Sequence, residues 1–472
     1  MLTALPFFEK SREVEMKTTI AAISTAMSAS GIGIIRISGP EATDVASRIY
    51  RSKNGKKNIK NVDSHTIHYG YIYDQEELID EVLVMVMKAP RTFTGEDTVE
   101  IDCHGGVFAM KKVLETVLKN GARIAEPGEF TKRAFLNGRL DLSQAEAVMD
   151  VIQAKNEYAL KSSMEQLKGS VHRAIKEIRS ELIYHIAYIE SALDDPEHIS
   201  LEGYAEKLLE AVRKEKKEIS YLLERAEDGK ILQEGIKTVI LGKPNAGKSS
   251  LLNLLVGENK AIVTDVAGTT RDILEEYINL HGITLKMTDT AGIRETEDIV
   301  EKIGVEKARE MAKEADLILY VVDSSTEMDE NDEEIIAMLA DKKAIVLYNK
   351  TDLEPVTDIR ELEKRISHKV IPVSARNQTG IRELEDTIKE MFFTGDIRFN
   401  DEVYITNARH KEALEEAGKS LELVEESILA GMPEDFFSID LMNAYENLGK
   451  ILGESVGEDL VNEIFSKFCM GK

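Results

Sequence analysis

The apolar positions of this chain follow two rhythms. Over residues 17 to about 137, short apolar runs alternate with amphipathic stretches. Residues 33–39 (Gly-Ile-Ile-Arg-Ile-Ser-Gly) predict a buried strand with one inserted arginine, Arg36, and residues 40–50 a helix. Residues 64–73 and 80–88 predict strands, and 98–103 a further strand with polar residues at alternate positions. Residues 106–120 predict a helix stopped by Gly121. This half therefore reads as α+β or α/β. From about 139 to 232 the spacing turns helical. Ser143-Gln144-Ala145-Glu146 predicts a capping box, and Ile178, Leu182, Ile186 and Ile189 line one face of a helix over 177–191, broken at Asp194-Asp195-Pro196. Residues 204–227 predict a second long helix. Short buried strands return at 237–241, 283–287, 344–348 and 369–373, and helical spacing resumes at 407–431, 438–453 and 457–468. The flanks of 234–394 are thus both helical. The economical architecture is a domain inserted into a helical one, which is structurally inexpensive because domain ends tend to lie close together. The expected parts are 1–137, a first helical part at 138–233, the insert at 234–394, and a second helical part at 395–472.

Composition narrows the class. With 472 residues, 43% hydrophobic and 31% charged, the chain reads as an ordinary soluble multidomain protein. A net charge of −26 argues against a broad nucleic-acid-coating surface and leaves room for a local basic site. Two cysteines, Cys103 and Cys469, form neither a disulfide framework nor zinc spacing, so a reducing cytoplasm is the simple reading. No apolar run approaches the roughly 20 residues of a membrane span. The apolar stretch Leu2 to Phe8 is too short, and lacks the basic lead, for a signal peptide. A start at Met16 would place the first ordered-looking residues at Thr18-Thr19-Ile20.

The chemistry centres on Gly242-Lys243-Pro244-Asn245-Ala246-Gly247-Lys248-Ser249, which fits G-x-x-x-x-G-K-S between a predicted strand and a helix opening with Ser250. Glycines let successive N–H groups converge on one anion, and the helix start adds positive dipole. Lys248 would reach the β- and γ-phosphates and the Ser249 hydroxyl a Mg²⁺ ion. Asp289-Thr290-Ala291-Gly292 follows the strand at 283–287; its Asp can hold Mg²⁺ through water, and its Gly amide can sense a γ-phosphate. Asn349-Lys350-Thr351-Asp352 follows 344–348, and an Asp352 carboxylate can accept both N–H donors of guanine. Adenine lacks that donor pair and would leave the carboxylate unpaired. Ser374-Ala375-Arg376 follows 369–373, with the Ala375 amide placed for guanine O6. In this order and spacing, the motifs indicate a guanine-nucleotide domain.

Other features have bland readings. Gly31-Ile32-Gly33 and His104-Gly105-Gly106 read as turns. The basic run Arg51, Lys53, Lys56, Lys57 and Lys60 reads as a solvated loop before an RNA contact, and Arg213, Lys214, Lys216 and Lys217 as a solvated helix face. Arg36 and Glu100 interrupt apolar strands either as an internal ion pair or as a ligand-binding pair. Ile293 stands where many switch GTPases place a water-orienting glutamine, so the task passes to one of the four carboxylates Glu295, Glu297, Asp298 and Glu301. Asn245 either caps the loop or offers an oxygen to a monovalent cation, which would put positive charge where phosphoryl charge develops.

Six motifs together resemble the tRNA modification GTPase family MnmE, also called TrmE. They are G-K-P-N-A-G-K-S at 242–249, A-I-V-T-D-V-A-G-T-T-R-D at 261–272, D-T-A-G-I-R-E-T at 289–296, C-M-G-K at 469–472, F-T-G-E-D-T-V-E at 93–100 and P-G-E-F-T-K-R-A-F-L-N-G-R at 127–139. The resemblance covers nearly everything after Met16. It implies an N-terminal domain that dimerises and binds a 5-formyl-tetrahydrofolate-type one-carbon donor, and a helical domain carrying an inserted Ras-like P-loop GTPase domain. It implies a flavoprotein partner, MnmG, that supplies FAD in a heterotetramer, and tRNA modified at C5 of the wobble uridine with an aminomethyl-type group. Asn245, Thr264, Val266 and Thr269 would hold K⁺, and Ser249 and Thr270 Mg²⁺. The nucleotide would also meet Ala246, Gly247, Ser250, Asp265, Ala267 and Gly268. Glu301 would orient water. Arg36, Glu100, Arg139 and Lys472 would bind the folate, and Cys469 would be the functional cysteine. The family often has lysine where this chain has Arg139, and usually C-I-G-K where it has C-M-G-K. A prenylation reading of the terminal motif is poor, because Lys472 suits that signal badly. The alternative function is a regulatory or ribosome-assembly GTPase that modifies nothing.

Overall fold

In a computed structural model, described for residues 18–55, 57–258, 276–280, 282–287, 303–393, 403–454, 456–469 and 471, the chain forms two compact units. One comprises residues up to 149, 166–208 and 419–472; the other comprises 150–165 and 209–418.

The first unit holds a seven-stranded sheet of β1 (Ile20–Ile23), β2 (Ile32–Ser38), β3 (Tyr50–Ser52), β4 (Thr66–Asp74), β5 (Glu77–Met87), β6 (Thr98–His104) and β7 (Arg123–Ile124). The order is β3-β4-β5-β6-β2-β1-β7, and only the β1–β7 pairing is parallel, so this half is α+β. Alternation along the strands sends Ile35, Ile37, Val82, Val84, Val86, Val99, Ile101 and Cys103 into one core with the helices Ala42–Ile49 and Val107–Lys119. Arg36 and Glu100 alternate with those residues and so occupy the opposite face. The helix predicted over 40–50 is shorter, because Tyr50 leaves it to begin β3.

Helix Ser170–Asp194 runs beyond its predicted length and buries Ile178, Leu182, Ile186 and Ile189 as the spacing requires. The capping box sits two residues earlier than predicted. Asp141 Oδ1 accepts from the Gln144 N–H at 3.0 Å, and the Asp141 N–H donates to Gln144 Oε1 at 3.2 Å. Ser143 is therefore already inside helix Leu142–Gln153, where its hydroxyl donates to the same carboxylate at 2.5 Å.

Helix Glu129–Leu136 is anchored by buried charge. Arg133 donates to Glu129 Oε1 at 3.0 Å, to Glu96 at 3.1 Å and to the Thr18 carbonyl at 2.8 Å. Burial pushes the Glu129 carboxyl up, but the Arg123 hydrogen bond, the Glu126 amide and the Arg133 charge outweigh it and hold the carboxyl below its ordinary value. The resulting stability is present above the ordinary carboxylate range and is lost as pH falls through the lowered folded value.

The second unit holds β8 (Ile236–Leu241), β9 (Glu276–Leu280), β10 (Ile283–Met287), β11 (Leu317–Asp323), β12 (Ala344–Asn349) and β13 (Lys369–Pro372) in the order β13-β12-β11-β8-β10-β9. All pairings are parallel except β9–β10. Parallel strands covered on both faces must be apolar throughout, and every residue of β11 and β12 is buried. Helices Lys248–Glu258 and Ile381–Phe392 cover one face; Glu330–Leu339 and Ile359–Arg365 cover the other. β8 lies between β10 and β11, where strand order reverses, and such switch points open a crevice at the carboxyl ends of the strands.

Replacing Arg133 with Ala leaves Glu129 buried without one of its counter-charges. Chemical denaturation at neutral pH is expected to show a loss of about 3–5 kcal/mol; a loss below about 1 kcal/mol would show that Arg123 alone suffices.

Candidate functional site

The phosphate loop leaves β8 at the switch point. Gly242 has φ 149°, and a β-carbon there would lie 2.4 Å from the Val321 carbonyl oxygen. The chain then turns. The Ala246 N–H donates to the Lys243 carbonyl at 3.3 Å, with Pro244 at the second corner and Asn245 at the third with φ 62°. Type II turns favour glycine or asparagine at that third corner, so Asn245 has a backbone reason to be asparagine. Lys248 opens its helix, and its Nζ donates to the Gly242 and Lys243 carbonyls, both at 2.7 Å. Burial holds its pKa below the ordinary lysine value. Ser249 and Ser250 follow, exposed, in the first turn. Helix-start N–H groups lack intrahelical partners, so loop and helix together form an anion cradle.

The loops after β12 and β13 meet this cradle. Asn349 Nδ2 donates to the Ala246 carbonyl at 2.9 Å, and the Ala375 N–H donates to Asn349 Oδ1 at 3.3 Å. Gly247 must lack a side chain, since a β-carbon would lie 2.2 Å from Asn349 Nδ2. Lys350, at φ 63°, pairs with Asp323 at 2.6 Å. The Ser374 hydroxyl donates to Asp352 Oδ1 at 2.6 Å and accepts from the Asn377 N–H at 3.1 Å. The hydrogen bond from Ser374 holds the Asp352 carboxyl below its ordinary value. An ionised, exposed carboxylate near the Ala375 amide suits a ring with paired N–H donors beside a carbonyl. Arg376 is exposed in the same loop. Of the residues expected at this site, Thr264, Asp265, Val266, Ala267, Gly268, Thr269, Thr270, Asp289, Thr290, Ala291, Gly292 and Glu301 lie outside the described residues.

A second constellation lies in the first unit. Arg36 and Glu100 face each other across β2 and β6, with Nε 2.7 Å from Oε1. Arg36 also donates to the Gly471 carbonyl at 3.2 Å, as does the Ser24 hydroxyl at 3.2 Å. The Phe93 ring centroid is 5.8 Å from the Arg36 guanidinium and 5.1 Å from that of Arg139, and Phe130 lies 5.6 Å from Arg36. Aromatic faces at such distances attract guanidinium groups. The structure thus gathers Arg36, Glu100, Arg139 and Gly471; Lys472 lies outside the described residues.

What brings residues 465–469 and Gly471 here is packing and two close approaches. Phe465 and Phe468 pack with Leu142, Met149 and Val461. The Gly128 N–H donates to the Cys469 carbonyl at 3.4 Å, and a β-carbon on Gly128 would meet the Phe465 carbonyl at 2.5 Å. Gly471, at φ 86°, lies so close to β1 that its β-carbon would meet the Ile23 carbonyl at 2.5 Å. The two cysteines differ. Cys103 is buried, donates to the Gly33 carbonyl at 3.3 Å, and has its thiol pushed up to about 12 by burial, whereas Cys469 is exposed.

Sequence reasoning passed over the Gly471 carbonyl, Gly128, Asp323 and the bridging by Asn349. The Pro127-Gly128 pair, a turn signal, was the one cue available. The solvated reading of the basic run fits the structure for Arg51 and Lys60, which pair with Glu76 and Asp44; Lys56 lies outside the described residues.

Two family models match: the MnmE helical domain over residues 142–469 and the GTP-binding protein TrmE N-terminus over 19–139. The chain belongs to the MnmE family. The tRNA modification GTPase MnmE of Lachnoclostridium phytofermentans is 61% identical over 458 residues, covering 97% of this chain and 100% of that relative. MnmE of Bacillus subtilis is 50% identical, covering 96% and 100%. Among solved structures, the G domain of the T. maritima FeoB iron transporter is 27% identical, covering 33% of this chain and 97% of that one, at a TM-score of 0.26.

Gly471→Ala is expected to loosen the segment that this MnmE family member folds back onto β1. A left-handed alanine costs about 1–2 kcal/mol, so amide exchange at residues 466–469 and 471 should quicken roughly tenfold while the sheet stays protected. Unchanged exchange would mean that the Phe465 and Phe468 packing holds the segment by itself.

Proposed function

We propose that this chain hydrolyses GTP to drive modification of tRNA at C5 of the wobble uridine, installing an aminomethyl-type group with carbon from a 5-formyl-tetrahydrofolate-type donor. The observation that carries the reading is the Arg36–Gly471 hydrogen bond. It brings the segment bearing Cys469 to an arginine–glutamate pair on the outer face of a sheet, an arrangement for which a purely regulatory GTPase has no use.

In this reading Lys248 meets the β- and γ-phosphates, Asp352 and Ala375 read guanine, and Glu301 orients the attacking water. Ser249 and Thr270 hold Mg²⁺; Asn245, Thr264, Val266 and Thr269 hold K⁺. The exposed hydroxyl of Ser249 at a helix start and the exposed amide of Asn245 are hard oxygen donors and fit such ions. When bound, the two cations neutralise charge on the transferring phosphoryl group. Arg36, Glu100, Arg139 and Lys472 bind the folate, and Cys469 is required for the modification. The protein works as a cytoplasmic homodimer with the flavoprotein MnmG, which brings FAD. Among the described residues no helix is long and apolar enough to cross a membrane. The functional parts are 1–137, 138–233, 234–394 and 395–472.

Steady-state hydrolysis should rise at least about tenfold when K⁺ replaces Na⁺, and Glu301→Ala should keep nucleotide binding while losing that rate. Equal rates in both salts would remove the K⁺ assignment, and normal turnover by Glu301→Ala would remove that residue's role. Nucleoside mass spectrometry on tRNA from cells lacking the gene should show loss of the C5-substituted wobble uridine, restored by the intact chain and not by Cys469→Ser. Unchanged tRNA would point instead to a regulatory or ribosome-assembly GTPase.

A further inference from the structure

The phosphate loop carries two lysines, and they face different partners. All three donors of the Lys243 ammonium are taken: by Asp332 Oδ2 at 2.7 Å, Asp329 Oδ2 at 3.1 Å and the Glu327 carbonyl at 3.1 Å. An ammonium has three donors, so none remains for a phosphate. Asp332 is itself buried and fully engaged. Its Oδ1 accepts from the Tyr320 hydroxyl at 2.7 Å, and its Oδ2 also accepts from the Asp329 N–H at 3.0 Å. Tyr320 on β11 pairs with Leu241 on β8, two residues before Lys243, so the clamp continues the sheet register into the loop. Burial works to lower the Lys243 pKa, but Asp332 and Asp329 outweigh it and raise it, so the side chain is charged at neutral pH.

The segment 323–332 also takes the lysine of the guanine-reading loop, through Asp323 and Lys350. One acidic segment therefore braces both nucleotide loops, while Asn349 pins the later half of the phosphate loop at Ala246.

We infer that Lys243 is a positioning residue: its ion pairs with Asp332 and Asp329 hold the first half of the phosphate loop in the shape that receives a guanine nucleotide, without touching it. The inference rests on the GTP-binding reading above. A misplacement of about an ångström is enough to cost up to 10²-fold in a reaction rate, and a cradle of convergent N–H groups is subject to the same geometric demand.

The test titrates the full chain with fluorescent GDP and a non-hydrolysable GTP analogue, with a melting scan for each variant. Lys243→Met should weaken both nucleotides by about 10- to 100-fold, and Lys243→Arg should stay within about threefold of wild type. Adding Asp332→Asn to Lys243→Met should cost less than the sum of the two single losses, because each variant breaks the same contact. Asp329→Asn keeps a good helix cap and removes the charge and the acceptor that face Lys243. It should melt like wild type yet bind about threefold more weakly. That variant keeps the inference testable if Lys243→Met fails to fold. Wild-type affinity in a folded Lys243→Met, or in Asp329→Asn if the former does not fold, overturns it. A wild-type chain that binds no guanine nucleotide overturns instead the functional reading beneath it.

Discussion

The carboxamide of Asn349, buried at the end of β12, donates to the Ala246 carbonyl and accepts from the Ala375 amide. Three loops from three different strands are thereby fixed by one side chain. A carboxamide is the side chain suited to this, since it carries a donor and an acceptor on one rigid plane. Asp in its place would set a carboxylate against the Ala246 carbonyl, and Leu would strand two buried polar groups. The glycine requirement at 247 follows from the same contact, because the loop must pass within reach of the amide nitrogen. The spacing of the nucleotide motifs is thus a consequence of parallel strands delivering their carboxyl ends to one crevice.

Much of this was legible in the sequence, and the reason is local. The strand at 344–348 is covered on both faces and so reads as a continuous apolar run, while the G-x-x-x-x-G-K-S loop carries its own backbone demands. Short edge strands escaped: β3 and β7 hold three and two residues, too few for any period to show. The capping box slipped by two residues because Asp141 and Ser143 are both good caps, and only the three-dimensional reach of the carboxylate to Gln144 chooses between them. Arg36 and Glu100 left two readings open for a plainer reason. A cross-strand ion pair and a ligand-binding pair look identical in one dimension, and the neighbours that distinguish them, Phe93, Arg139 and Gly471, come from remote parts of the chain.

The acidic excess also takes on a different meaning in three dimensions. Glu129, Glu96, Asp332 and Asp323 are not solvated faces. Each is enclosed and paired to a lysine or arginine that holds a functional segment in place. A buried ion pair is weak evidence for stability, because desolvation offsets much of the attraction. Its use in this chain is geometric: the helix that begins beside Gly128 and the loop that carries Lys248 are both set by such pairs.

The hydrogen bond from Ser24 to the Gly471 carbonyl joins residues 447 positions apart. During synthesis at about 5–20 residues per second, β1 and β2 leave the ribosome roughly 20 to 90 s before Gly471 exists. Through that interval Arg36 has Glu100 and the rings of Phe93 and Phe130 as partners, but not the Gly471 carbonyl. The cysteine segment is therefore made long after the strands it packs against. Closure of that seam reports that everything between the two ends, including the nucleotide crevice, has already been made.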